Sequence, residues 1–194
     1  MAQESQTFDI PIEVAEVYEQ LFVPSIFAEW APVILEAVDV EAASAAGKRL
    51  LDVGCGTGIV ARTARQRYGS DVSVVGVDLN PAMLTVARRI APEIDWRQGD
   101  AGRLPFPDDE FDVAVSQMAA MFFLDLRQAV AEMARVVRPG GLLAWVVPAS
   151  LDEQPAYGPF VDVAVATSTS RPELLGGTYW KLGDRNALAA VLRR

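Results

Sequence analysis

Two rhythms of apolar and polar positions alternate along this chain. The first is a set of short, largely apolar runs, Arg49–Val53, Val72–Val77, Phe111–Ser116 and Leu142–Val147, with a more polar one at Ile94–Gln98. Runs of this length predict strands buried on both faces, as in a parallel sheet. Between them apolar residues recur at helical spacing. Ile59, Val60, Ala64 and Tyr68 fit one helix, closed by Gly69, and Met83, Leu84, Val86, Ala87 and Ile90 fit a second that opens at Pro81. A third runs from Leu126 to Val137 and is stopped by Arg138-Pro139-Gly140-Gly141. Strands alternating with helices imply right-handed crossovers and a helix–sheet–helix sandwich.

The flanks follow a different pattern. Ile12, Val14, Val17, Tyr18 and Leu21 approximate a helical stripe from Pro11 to Leu21. Pro24 interrupts it, and Ser25 opens a second predicted helix to about Val38, with a kink or break at Pro32. Residues 10–40 therefore read as a helical cap, residues 48–148 as the core, and residues 149–194 as a lid or shortened end, all within one domain. Met118–Leu124 fits a short helix or a loop. Phe160–Ala166 and the stretch from Asp184 to Leu192 are expected to be helical, with a turn at Gly176-Gly177. No strand-like run follows the fifth, leaving its edge open for homodimerisation.

Composition narrows the chemistry. The 194 residues include no histidine and one cysteine, and the formal charge is −9. Without histidine there is no Ser-His-Asp triad, His dyad or His-ligated metal site. The acidic balance disfavours a nucleic-acid partner. No apolar run approaches the ~20 residues of a membrane helix, and the first residues lack a signal-peptide pattern. The expectation is a cytoplasmic protein with no metal site; Asp108-Asp109-Glu110 reads as a solvated loop.

The candidate site lies where the strands end, because ligands of open parallel sheets bind beyond the strand carboxyl ends. Leu50-Leu51-Asp52-Val53-Gly54-Cys55-Gly56-Thr57-Gly58 joins a strand to a helix through three alternate glycines. Asp78 ends the second strand, Gly99-Asp100-Ala101 follows the third, and Ser116-Gln117 follows the fourth. A carboxylate at position 78 is placed to accept hydrogen bonds from both hydroxyls of a ribose.

These blocks, in this order and spacing, resemble the class I S-adenosylmethionine-dependent methyltransferases. The resemblance covers roughly residues 10–150 and is strongest to the branch of ubiquinone and menaquinone biosynthesis C-methyltransferases. It rests on Asp52-x-Gly54-x-Gly56-x-Gly58, Gly76-Val77-Asp78-Leu79-Asn80-Pro81-Met83-Leu84, Gly99-Asp100-Ala101, Leu104-Pro105-Phe106 and Glu132-Met133-Arg135-Val136-Val137-Pro139-Gly140-Gly141. It implies a Rossmann-like αβα sandwich with strand order 3-2-1-4-5. That fold usually adds a sixth and a seventh strand, which are not visible in this sequence, so the chain reads as C-terminally truncated.

The resemblance also implies S-adenosyl-L-methionine as cofactor, S-adenosyl-L-homocysteine as product, and a small, apolar or aromatic acceptor. The cofactor residues it implies are Tyr18, Asp52, Gly54, Cys55, Gly56, Thr57, Gly58, Asp78, Leu79, Met83, Gly99, Asp100, Ala101, Ser116 and Gln117, with Asp100 at the adenine amino group. Met83 equally fits core packing, and Cys55 is expected to be inert. Met118, Met121, Phe122, Phe123 and Trp145 fit either an acceptor pocket or the core. No catalytic base is assigned; a carboxylate, Tyr18 or the acceptor itself could serve.

Two other readings compete. One is a non-catalytic, truncated binding or dimerisation module. The other is an NAD-dependent oxidoreductase, because Gly56-Thr57-Gly58-Ile59-Val60-Ala61 formally fits G-x-G-x-x-A. Asp52 opposes it: a carboxylate just before the glycines repels a pyrophosphate and suits a ligand bearing a sulfonium and an ammonium.

Overall fold

A computed structural model describes residues 10–38, 47–150, 153 and 182–184. Five strands form a single sheet: β1 (Lys48–Val53), β2 (Val72–Asp78), β3 (Asp95–Gln98), β4 (Phe111–Gln117) and β5 (Val137–Val146). Their order is β3-β2-β1-β4-β5, as expected, and every neighbouring pair is parallel. The helices are α1 (Ile12–Val17), α2 (Trp30–Ala37), α3 (Ile59–Tyr68), α4 (Pro81–Ile90) and α5 (Leu126–Val136).

Alternation along the strands divides the core between two faces. Leu50, Val74, Val113 and Val115 pack against Ile34 and Leu35 of α2, Val60 and Ala64 of α3, and Leu84 and Ala87 of α4. Leu51, Val53, Val75, Val77 and Ala114 face the other way, onto Ala129, Met133 and Val136 of α5. Each large side chain so buried contributes about 1.5–3 kcal/mol relative to exposure. Two covered faces explain why the strands read as continuous apolar runs.

The cap departs from the expected pair of helices. α1 passes at Tyr18 into a ten-residue π-helix, Tyr18–Phe27, that carries Pro24 within it. The Ala28 amide bonds the Val23 carbonyl, five residues back, at 2.8 Å. The wider turn relieves the clash that a proline ring makes with the carbonyl four residues earlier in an α-helix. Pro32 produces no kink, because α2 begins at Trp30 and its first turn needs no N–H at that position.

Residues 1–47 contain no lysine or arginine. The cap's acids instead meet arginines of the core helices. Glu16 pairs with Arg89 of α4, while Glu19 and Glu36 pair with Arg62 and Arg67 of α3.

β5 begins earlier than its apolar run. Val137 pairs with Phe111, and pairing resumes at Leu142 opposite Val113. Arg138-Pro139-Gly140-Gly141 is thus a bulge facing Asp112 rather than a stop before the strand. Gly140 takes a φ of +81°, and the Arg138 Nε donates to Asp112 at 2.7 Å. Met118–Leu124 resolves into a loop with one 3₁₀ turn, Ala120–Phe122. The expectations for strands six and seven, for Phe160–Ala166, for Gly176-Gly177 and for the last helix fall outside the described residues.

Candidate functional site

β1 ends at Val53 and the chain turns back beneath β2. The Gly54 and Cys55 amides both donate to the Val77 carbonyl, at 2.8 and 3.1 Å. Gly54, Gly56 and Gly58 have φ of +70°, +55° and +90°, a region that residues with a Cβ rarely adopt. A Cβ at Gly54 would also lie 2.5 Å from that of Ala119. The turn leaves the Gly56 amide aimed at the end of β2, where it donates to Asp78 Oδ2 at 2.8 Å. Asp78 Oδ1 accepts from the Asn80 amide, also at 2.8 Å. Burial pushes the Asp78 carboxyl above its ordinary range, while the Asn80 and Gly56 amides pull it back.

Asn80 caps α4, its side-chain oxygen accepting from the Ala82 and Met83 amides. This stations Met83 beside Asp78. After β3, the Gly99 amide bonds the Asp78 carbonyl at 3.0 Å, and Asp100 turns on itself by accepting from the Gly102 amide at 2.9 Å. Over these strand ends lies an aromatic row from the π-helix. Phe22 stacks on Tyr18, and Tyr18 meets Phe27 with ring centroids 5.2 Å apart. Gln117, at the end of β4, fastens the row by donating to the Phe27 carbonyl at 2.9 Å.

The cavity, partly open to solvent, has a volume of about 290 Å³. Its lining brings together Tyr18, Gly54, Gly56, Asp78, Leu79, Met83, Gly99, Asp100, Ala101 and Gln117 of the residues expected from sequence. Among the described residues, its only charged side chains are Asp78 and Asp100; no lysine or arginine reaches it.

Five expected residues lie off the lining. Asp52 is buried beneath the loop, accepting from the Ala61 amide in the first turn of α3 at 3.1 Å. Burial pushes its carboxyl up to about 7, with Asp78 adding to the rise. Cys55 turns into the core, where burial raises its thiol. Thr57 and Ser116 are buried inside the loop and strand. Gly58 serves packing: its missing Cβ, like that of Gly76, leaves room for the Trp96 indole, whose Nε1 donates to the Ala91 carbonyl.

The lining also includes Met118, Phe122 and Phe123, three of the five residues weighed for an acceptor pocket. Met121 and Trp145 are absent from it, packing instead in the cluster that includes Ala120 and Leu182. Ile10, Phe27, Asn80, Ala119 and Leu124 join the lining unannounced. Of these, Asn80 carried a usable signal, as a capping residue before a proline at the first helical position. No group of His, Cys, Asp or Glu among the described residues could hold a metal ion.

Residues 51–145 match the methyltransferase domain family, the stretch that carries all five strand ends but the last. Over that stretch the chain belongs to the class I S-adenosylmethionine-dependent methyltransferase family. That family uses S-adenosyl-L-methionine. A demethylmenaquinone methyltransferase of Paenarthrobacter aurescens is 36% identical over 115 residues, 59% of this chain and 42% of the relative. A nocamycin O-methyltransferase of Saccharothrix syringae is 37% identical over 141 residues, 69% of this chain and 50% of the relative. The YcgJ protein of Bacillus subtilis superposes with a TM-score of 0.56 at 31% identity, over 71% of this chain and 58% of that one. The chain spans about half the length of the curated relatives it matches. Among the described residues no helix is long and apolar enough to cross a membrane.

Proposed function

We propose that the cavity binds S-adenosyl-L-methionine and that the chain, as one capped domain, transfers its methyl group to a small, uncharged, apolar or aromatic acceptor. The observation that carries this reading is the charge of the lining: among the described residues, two carboxylates and no cation. A ligand with a sulfonium and an ammonium gains from that field. A dinucleotide pyrophosphate would be repelled by it.

Asp78 takes the Gly56 amide on one oxygen and the Asn80 amide on the other, with the Leu79 amide also against the carboxylate, and its remaining lone pairs would accept from the ribose. Asp100 and Ala101 would take the adenine edge, with Met83 against its face. Gly54 and Gly56 allow close approach of the backbone to the amino-acid portion. Tyr18 and Gln117 would then stand at the reacting end.

The transfer breaks the S–CH3 bond as the acceptor's lone pair forms the new bond to carbon, and S-adenosyl-L-homocysteine leaves. The methyl group is already activated by the sulfonium, so the chain's part is to hold the acceptor in line and exclude water, an orientation effect worth up to about 7–11 kcal/mol. Phe27, Met118, Phe122, Phe123 and Leu124 provide the dry wall for that acceptor. With Asp78 and Asp100 engaged, Tyr18 is the remaining titratable side chain on the lining. An acceptor that brings its own nucleophilic lone pair, such as a neutral amine, needs no base before transfer and releases its proton to water afterwards.

The test is incubation with methyl-labelled S-adenosyl-L-methionine and three probes: a naphthol, a naphthylamine and a naphthoate. Label is expected on the naphthol or the naphthylamine and not on the naphthoate. Transfer to the carboxylate alone would contradict the reading.

A further inference from the structure

Arg135 lies near the end of α5, away from the cavity, yet all five of its guanidinium N–H groups are used. Nε and one Nη donate to Glu132, at 2.8 and 2.7 Å. The same Nη reaches the Leu104 carbonyl at 3.2 Å, and the other donates to the Phe106 carbonyl and to Asp108, at 2.9 and 2.8 Å. Glu132 completes the grip by accepting from the Leu104 amide at 2.8 Å. The Arg135 carbonyl takes the Asp109 amide at 3.0 Å. Every one of these contacts beyond the Glu132 pair falls on the loop between β3 and β4.

That loop begins with the residues that face the cavity. Pro105 lies so close under Gly99 that a Cβ there would come within 2.8 Å of its Cδ. Asp100 and Arg103 form a β-bridge, the Arg103 amide bonding the Asp100 carbonyl at 2.9 Å. Leu104 and Phe106 are buried, and Phe106 packs edge-on against Phe111 under the Arg97 guanidinium. The loop is therefore fixed at its far side by one planar fork, and its near side carries Asp100 and Ala101.

We infer that Arg135, with Glu132, is a positioning residue for the purine end of the site: it sets the Gly99–Ala101 turn against the base. This rests on the proposed cofactor reading, in which Asp100 accepts the adenine amino group. Lysine cannot reproduce the role. A single ammonium keeps the charge but cannot bond two carbonyls, Asp108 and Glu132 in one plane.

The readout is base selectivity rather than stability. S-Adenosylhomocysteine and S-inosylhomocysteine differ at the purine 6 position, where an amino donor becomes a carbonyl. A site built to accept from that amino group rejects the carbonyl analogue. Both would be titrated calorimetrically into the unsubstituted chain, Arg135→Lys, the milder Glu132→Gln, and Val136→Ala, which trims a buried α5 contact to the sheet. Arg135→Lys is expected to narrow the affinity ratio by roughly tenfold, the scale of one mis-set hydrogen bond to a charged group. Glu132→Gln should narrow it less, and Val136→Ala should lower the melting temperature while leaving the ratio alone. In an Asp100→Ala background Arg135→Lys should change the ratio no further.

An unchanged ratio in Arg135→Lys, or an equal narrowing in Val136→Ala, would overturn the inference. Should Arg135→Lys fail to fold, Glu132→Gln against Val136→Ala decides it by the same criterion. An unsubstituted chain that binds both ligands equally would overturn the role of Asp100 and this inference with it. One that binds neither would overturn the cofactor reading itself, before any variant is compared.

Discussion

Asp78 Oδ2 accepts the Gly56 amide at 2.8 Å, so the glycine loop after β1 is tied to the carboxylate that ends β2. The two parts of the site thus hold each other in place. In Asp78→Asn one of the two oxygens becomes a donor, leaving either the Gly56 or the Asn80 amide facing an N–H. Faster hydrogen exchange at one of those two amides is expected, with β1 and α3 protection retained. Unchanged protection at both would count against the tie.

Asp52 yields a pH prediction. Its folded carboxyl is pushed up to about 7 from an ordinary 3.8, so between those values the folded chain holds a proton that the unfolded chain has released. Stability should therefore fall as pH rises across that window and level off above it, by on the order of a few kcal/mol at most. Asp52→Asn mimics the neutral acid and keeps an oxygen for the Ala61 amide, so its stability should lack this component. Urea unfolding of both proteins from pH 5 to pH 8 checks it; parallel pH curves would contradict it.

Gly58 and Trp96 should be energetically coupled. At Gly58 φ is +90° and a Cβ would collide with the indole, whereas Gly69, at +61°, has nothing within 4 Å. Left-handed strain alone costs an alanine about 1–2 kcal/mol, and Gly58→Ala is expected to cost more than that because of the added clash. Trp96→Leu removes the colliding ring atoms, so the double variant should lose less than the sum of the singles. Strict additivity in denaturant unfolding would show that the indole is not what Gly58 accommodates.

How much of this was legible in the sequence follows from the range of each interaction. The strands themselves, the Asp78 and Asp100 turns and the α5 stripe are written in local runs, whose ends are marked by acids and glycines, whereas the strand order was implied only by the family resemblance. The Gly58–Trp96 contact spans two crossovers and left no local trace, so Gly58 read as a ligand contact. Asp52 likewise read as facing the ligand, although its amide partner at Ala61 draws it under the loop. The π-helix and the bulge at 138–141 were hidden by prolines and glycines, which signal a break without saying how the chain continues.

The cap is fastened by polar ties at its edges, and one predicts its dynamics. Glu19 and Arg62 meet at 2.8 Å with both side chains about one-fifth exposed (18% and 20%). Such a pair is worth up to about 1 kcal/mol and is weakened by salt. Glu19→Gln should therefore speed hydrogen exchange in residues 12–27 at low salt while leaving β1 and β2 unaffected, and molar salt should erase the difference. Equal acceleration throughout the sheet would mean that the pair supports the whole fold and not the cap.

The central claim is that the cavity lined by Asp78 and Asp100 is an S-adenosylmethionine site. The most direct measurement is separate calorimetric titration of S-adenosylhomocysteine and NADH into the chain, repeated with Asp78→Ala. Binding of S-adenosylhomocysteine alone, lost or weakened at least about tenfold in the variant, is the predicted result, since two hydrogen bonds to a charged acceptor are removed. Binding of NADH, or S-adenosylhomocysteine binding that ignores Asp78, would contradict it.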